Sequence, residues 1–393
     1  MATLDSRTDL FISFLRQQKL RGWLSWRPDE LILQLGHYPH WGLSFLLFLS
    51  DGERTLFVPE LEPPTGLSTD IRIITYPWGD IQCADPFSIL NSSLQAALDR
   101  YRIARTDIGF LRSPGRSSLA AVFAEEPSLS GDEISKLTHG MTDRSSLGTK
   151  FSSLYLHKTD EEIERIRLAN KVALTGLNAW RSALTPGTTE AEAAAEAEYA
   201  VLSQTGQNGI YTARAWAMVQ SGPNTANSGR FNRSSGRRLE SGDLVLIEMA
   251  TCVNGYWSDL TRTEPVGEPA SFAADLLHAV GESQKVAIQA LHPGVSARDV
   301  DAEARQTLRK AGFADYFTHA LGHHVGFRYH DPGFLIAPGV SDVLQPGMVI
   351  TIEPGAYVPD MLVGARLEDN IAINDRGVDI LSATVESESH DQH

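Results

Sequence analysis

Short apolar runs bounded by turn residues fill the first part of the chain. Gly22–Trp26, Ser44–Leu49, Arg54–Val58 and Ile71–Tyr76 have the length and flanks that predict strands, whereas Pro86–Tyr101 and Ser117–Glu125 space their apolar positions as helices do. Strands alternating with helices in this way predict an α/β unit with a mixed sheet, and it carries no cluster of catalytic residue types. Gly131–Ser153 is polar and punctuated by glycine, after which Thr159-Asp160-Glu161-Glu162 has the pattern of a cap opening a long helix. A domain boundary is therefore expected near residue 150.

Beyond that boundary the pattern repeats. Leu184–Thr189 is echoed by Leu291–Ser296, each a Pro-Gly turn that opens an Ala- and Glu-bearing helix, and a strand follows each helix, Gly242–Glu248 in one copy and Gly347–Glu353 in the other. Glu248 and Glu353 thus hold the same place in the two copies. A duplicated unit packed about a pseudo-twofold axis brings such residues into one volume, where like charges need protons or cations between them. Asn254-Gly255, a strong signal for a two-residue hairpin, lies between two apolar runs. A turn at that dipeptide sets Glu248 opposite Thr261 and Asp259 opposite Ala250. Both acids then share a face as diagonal neighbours with backbones roughly 7 to 8 Å apart, a separation that suits shared cations. Glu368, in Gly364–Asp369, follows Glu353 after a longer connection.

Histidine supplies a different kind of ligand. Four of the twelve histidines lie in His319–His330, where Gly322 and Gly326 allow the backbone to approach a site closely. The order of acidic residue, aspartate, histidine, glutamate and glutamate resembles the pita-bread metallopeptidases, the group of prolidase, aminopeptidase P and methionine aminopeptidase, with creatinase as a metal-free relative. Asn254–Thr263 is similar to the segment carrying that group's second aspartate. His319–His330 resembles its HxxGH and following histidine, Glu353-Pro354-Gly355 its glutamate turn, and Arg366–Asp369 its final ligand. The resemblance spans residues 155 to 383 specifically and the earlier part in general layout.

That resemblance implies a creatinase-like α/β N-terminal domain over residues 1–150, an α+β pita-bread domain with an internal pseudo-twofold repeat over 151–383, and a flexible tail over 384–393. It implies two divalent metal ions, manganese, cobalt or zinc, bound by Glu248, Asp259, His323, Glu353 and Glu368. Glu353 becomes the proton shuttle, His319 and His330 orient the scissile carbonyl or departing nitrogen, and Arg366 positions the acidic shell. The implied reaction is hydrolysis of an Xaa-Pro bond or a similar small amide in a homodimer. Trp26, His37, His40 and Trp41 are candidate substrate contacts in that arrangement. Two departures stand out. Glu248 replaces the group's usual aspartate and moves the carboxylate by about 1.5 Å. Ser221–Phe231 also lacks the Pro-His that usually follows Gly-Pro-Asn, leaving Asn227 or Arg230 in its place.

Charge narrows the field of partners. A formal net charge of -15 argues against a general nucleic-acid binder. Cys83 and Cys252 make no metal motif or disulfide framework, which suits a reducing, cytoplasmic setting. Met1–Gln17 lacks a signal-peptide pattern, and the apolar run Trp41–Leu49 is too short to span a bilayer, so a buried strand or dimer contact is expected there. Three other readings stay open: a metal-free creatinase-like hydrolase of a small C–N bond using His319 or His330, a lyase acting on small zwitterions, and a non-enzymatic peptidase-like binding module.

Overall fold

The computed structural model describes residues 4–39, 44–60, 67–77, 86–112, 131–227 and 233–383. The described residues up to Tyr155 form one compact unit and those from Leu156 a second.

The first unit begins with α1 (Leu4–Gln17), β1 (Gly22–Ser25), α2 (Pro28–Leu35), β2 (Phe45–Leu49), β3 (Arg54–Pro59) and β4 (Arg72–Tyr76). It continues with α3 (Pro86–Tyr101), β5 (Ile108–Phe110), α4 (Gly131–Leu137), β6 (Thr142–Asp143) and most of α5 (Gly148–Leu156). Its six strands form one mixed sheet in the order β4-β3-β2-β1-β5-β6. All four apolar runs are strands of this sheet, and Phe45–Leu49 is a fully buried inner strand. Trp26 belongs to the core beside Phe110, and His37 is buried with Nε2 3.4 Å from Ser44 Oγ. His40, Trp41, Cys83, the expected helix over Ser117–Glu125 and the tail over 384–393 lie outside the described residues. The polar segment 131–153 is not a bare connection, because Phe151 of α5 stacks on Trp23 with centroids 5.2 Å apart.

The second unit opens with α6 (Asp160–Ser182), started by the expected capping box between Thr159 and Glu162. It continues with α7 (Glu190–Leu202), β7 (Ala213–Ser221), a 3₁₀ turn over Gly222–Asn227, β8 (Leu244–Val253) and β9 (Tyr256–Pro265). Next come α8 (Ser271–Gln289), α9 (Ala297–Lys310), β10 (Val349–Ile352), β11 (Gly355–Val358), β12 (Val363–Arg366), β13 (Asp369–Asn374) and β14 (Gly377–Ile380). The turns before α7 and α9 are tied alike: Gly187 N donates to Leu239 O and Gly294 N to Leu344 O, each at 2.8 Å. Small residues let α6 and α7 pack closely, since a Cβ on Gly176 would lie 3.0 Å from the Ala197 carbonyl oxygen.

β8 is buried on both faces, and its alternation decides what each face does. Val245, Ile247 and Met249 join the core beneath α6 and α7, which turns Glu248 to the opposite side. The second half differs from the first. β10 pairs with β13 and β11 with β12 in one common register, Ile352 facing Asp369 and Gly355 facing Arg366, so Glu353 and Glu368 fall opposite each other at the break between the two ladders, whereas Glu248 and Asp259 are diagonal neighbours on their hairpin. They flank β10 and β13 at adjacent strand ends. Among the described residues no helix is long and apolar enough to cross a membrane.

Candidate metal centre

The β8–β9 hairpin has the register that Asn254-Gly255 predicts. Val253 faces Tyr256 across a two-residue turn whose residues both have positive φ, Glu248 faces Thr261 and Ala250 faces Asp259. Asn370 of β13 fixes this hairpin to the second sheet by accepting from Asp259 N at 3.1 Å and donating to Asp259 O at 2.7 Å. Glu368 N donates to Thr261 O at 3.0 Å, which brings the fourth carboxylate to the same place. Thr261 Oγ1 then lies 3.0 Å from Glu248 Oε2 and 2.7 Å from Glu368 Oε2, and its one proton serves one of them at a time.

The histidine segment has little regular structure, yet it runs as a pseudo-strand beside β10. Glu353 N donates to Leu321 O, Thr351 N to His323 O and His323 N to Thr351 Oγ1. Gly322 makes this approach possible, because a Cβ there would stand 2.0 Å from the Thr351 carbonyl oxygen. His323 Nδ1 lies 3.0 Å from the His324 carbonyl, which can only accept, so in neutral His323 the proton sits on Nδ1 and Nε2 presents a lone pair. That lone pair faces Asp259 Oδ2 at 3.3 Å and Glu353 Oε1 at 3.5 Å. Three acceptors pointing at one another need a cation or a proton between them. Asp259 Oδ1 and Glu368 Oε1 are buried as well and accept no hydrogen bond. Three sets of ligand atoms each lie within 4.8 Å of one another: Asp259, His323 and His330; His323, Glu353 and Glu368; and Glu248, Asp259 and Glu368. The donor set of carboxylate oxygens and one oriented imidazole fits a divalent ion.

Electrostatics separates Glu248 from the other three acids. Burial and the neighbouring carboxylates push Asp259 and Glu368 well above the usual carboxylate range, and burial together with Glu368 raises Glu353 to about 8. Burial also pushes Glu248 upward, but the Arg366 charge and the Tyr329 hydroxyl hold it below its ordinary value. Burial and Arg366 lower His319 to about 4, and burial with His323 keeps His330 neutral.

A pH dependence follows for the metal-free protein. Between the unfolded value near 4.5 and the folded value of about 8, Glu353 keeps a proton that the unfolded chain has lost, so its contribution to stability disappears as pH rises through about 8. Asp259 and Glu368 act in the same direction. The depressed histidines oppose this only below about pH 6.5, where the unfolded chain gains their protons. Thermal unfolding with chelator is therefore expected to show a lower midpoint at about pH 8.5 than at about pH 7, and metal-loaded protein the reverse, because ligands bind deprotonated. Equal midpoints with chelator would contradict the shared proton inventory.

All the acids and histidines expected at the site converge there, with different immediate partners. His319 Nδ1 donates to Ala320 O and Nε2 accepts from Tyr357 Oη, both at 2.8 Å. Tyr357 Oη in turn accepts from Arg366 Nη1 at 2.7 Å. Arg366 pairs with Glu248, not with Asp259, and Tyr329 donates to the other oxygen of Glu248. His330 Nε2 stands 3.7 Å from Asp259 Oδ2, its ring 3.7 Å from that of His323. Tyr329, Tyr357, Thr261 and Thr351 are the residues that sequence reasoning missed, although Tyr329 adjoins His330 and Thr261 was set opposite Glu248. Of the segment lacking Pro-His, Asn227 ends the 3₁₀ turn, which is seated by Gly364 N donating to Thr225 Oγ1 at 2.8 Å. Gly229 and Arg230 lie outside the described residues.

Residues 164–375 match the model of metallopeptidase family M24. The chain is 38% identical over 235 residues to an Xaa-Pro dipeptidase of Pyrococcus furiosus, an alignment covering 59% of this chain and 64% of that protein, just under two thirds of its length. A prolidase structure from Pyrococcus furiosus superimposes with a TM-score of 0.72 at 27% identity, covering 95% of this chain and 99% of the other. An Xaa-Pro dipeptidase from Bacillus anthracis has a TM-score of 0.76 at 21% identity over 97% and 98%, a likeness of fold alone. The pita-bread fold expected from the motifs is the fold observed.

Proposed function

The chain belongs to metallopeptidase family M24, and from that membership we propose that it hydrolyses Xaa-Pro bonds in small peptides with a divalent ion, manganese, cobalt or zinc, at Asp259, His323, Glu353 and Glu368. One observation carries the reading: the bare Nε2 of His323 converges with Asp259 Oδ2 at 3.3 Å and Glu353 Oε1 at 3.5 Å, an arrangement of acceptors that a cation reconciles. The substrate class is supported by the Pyrococcus furiosus relative named as an Xaa-Pro dipeptidase.

When bound, a divalent ion supplies Lewis-acid polarisation and a water of lowered pKa. Glu353 is the candidate to take and return a proton at Oε1 or Oε2. His330 Nδ1 is buried without a partner, the state of a group that meets a substrate oxygen or nitrogen. The relay from Arg366 through Tyr357 fixes the His319 imidazole in one neutral tautomer beside Glu353 Oε2, 3.9 Å away. The missing histidine after Gly-Pro-Asn removes a hydrogen-bonding group at the substrate's edge, so we propose a narrow range of Xaa-Pro substrates.

Xaa-Pro dipeptides and longer Xaa-Pro peptides, assayed beside creatine-like and cyclic amidine compounds, test the proposal. Turnover of a few Xaa-Pro peptides, lost in both His319→Ala and His330→Ala, is expected. Turnover confined to the amidines would overturn it, and robust turnover of every dipeptide would overturn the narrow range. The metal-free creatinase-like reading draws support from Glu248, whose charge Arg366 already neutralises. It leaves Asp259, Glu353 and Glu368 to be neutralised by protons alone, and activity that survives chelation is its distinguishing result.

A further inference from the structure

We infer that Glu248 is a positioned anion held by protein donors, not a metal ligand, and that the centre takes one divalent ion at Asp259, His323, Glu353 and Glu368, where the sequence motifs imply two. The inference rests on the metal-dependent reading and narrows it. A carboxylate offers about four lone-pair directions. On Glu248, Oε2 faces both Arg366 Nη2 and Thr261 Oγ1, and Oε1 accepts from Tyr329. Each oxygen is thus turned to a protein donor, Oε2 to Arg366 and Oε1 to Tyr329, with Thr261 shared between Glu248 and Glu368, and the bidentate grip of a terminal ligand is closed.

The donors are not free to swing aside. Tyr329 is buried, with its ring stacked 4.5 Å from that of His330, and Arg366 is anchored through Nε to Thr261 Oγ1 at 3.2 Å and through Nη1 to Tyr357 at 2.7 Å. The extra methylene of glutamate carries the carboxylate toward these groups. An ion lodged among Glu248, Asp259 and Glu368 would also sit beside the Arg366 guanidinium, a buried like charge. The remaining ligands, Asp259, His323, Glu353 and Glu368, which are spread over the three sets, differ in kind. Asp259 Oδ1 and Glu368 Oε1 accept nothing, and the lone pair of His323 Nε2 is aimed at Asp259 and Glu353.

Metal content by elemental analysis, calorimetric titration of stripped protein with Mn²⁺ and with Zn²⁺, and the electron paramagnetic resonance of the Mn²⁺ form test this directly. Wild type is expected to bind one ion per chain and to give an uncoupled Mn²⁺ signal. Glu248→Gln should keep that one ion, with affinity reduced by about 10- to 100-fold, as for loss of an outer-shell partner. Two ions in wild type, or complete loss of the ion in Glu248→Gln, would overturn the inference and leave the metal-dependent reading intact. No ion in wild type would overturn both.

Discussion

Asp259→Ala is expected to lose the metal ion and to reduce Xaa-Pro hydrolysis by about a thousandfold or more, at least the scale of removing a principal electrostatic group from an active site. Asp259 is nearly inaccessible, and it contributes to two of the three convergent ligand sets. Its backbone is held on both sides by Asn370, so the side chain can be removed without releasing the hairpin from β13. Removing it also relieves repulsion among buried acids, so unfolding of the metal-free variant should be no easier than that of metal-free wild type. Retained metal stoichiometry in a folded Asp259→Ala protein would show that the hairpin does not build the ion site.

Arg366→Ala should have the largest effect on stability, about 3 to 5 kcal/mol, the usual cost of breaking a buried ion pair from one side. The substitution strands the Glu248 carboxylate, removes a donor from Tyr357 and takes the bond from Thr261 Oγ1. Both partners are buried, so solvent cannot replace the lost charge. Replacing Glu248 as well, in Glu248→Leu, Arg366→Ala, should recover much of the loss, since the uncompensated charge goes with its partner. Urea unfolding of the three variants with chelator present measures this. An Arg366→Ala protein within about 1 kcal/mol of wild type would contradict the assignment of Arg366 as the counterion of Glu248.

The elements legible in the sequence were those determined by local rules. Asn254-Gly255 fixes the turn, and the two-residue period of a strand then dictates that Glu248 and Asp259 share a face. Thr159 and Thr189 mark helix starts because each side chain satisfies an N–H that the helix cannot. What escaped depends on partners distant in the chain. α2 carries Asp29 and Glu30 as buried residues, both paired with Arg27 and Asp29 also accepting from Tyr155, so its charged positions do not mark a solvent face. α5 hides in a polar stretch because two aromatic residues, Phe151 and Tyr155, anchor it. The pairing of β10 with β13 and the capping of Glu248 by Tyr329 join segments with no shared period. The residue types of the candidate centre were therefore legible, and the division of Glu248 from the other acids was not.

Hydrolysis of a small Xaa-Pro dipeptide by one protein preparation, followed before metal removal, after exhaustive chelation and after reloading with manganese, cobalt or zinc, tests the central claim most directly. Turnover should vanish with the metal and return in proportion to the ion bound. Undiminished turnover by protein shown to be metal-free, or a reloaded protein that holds its ion and cleaves no Xaa-Pro bond, would contradict it.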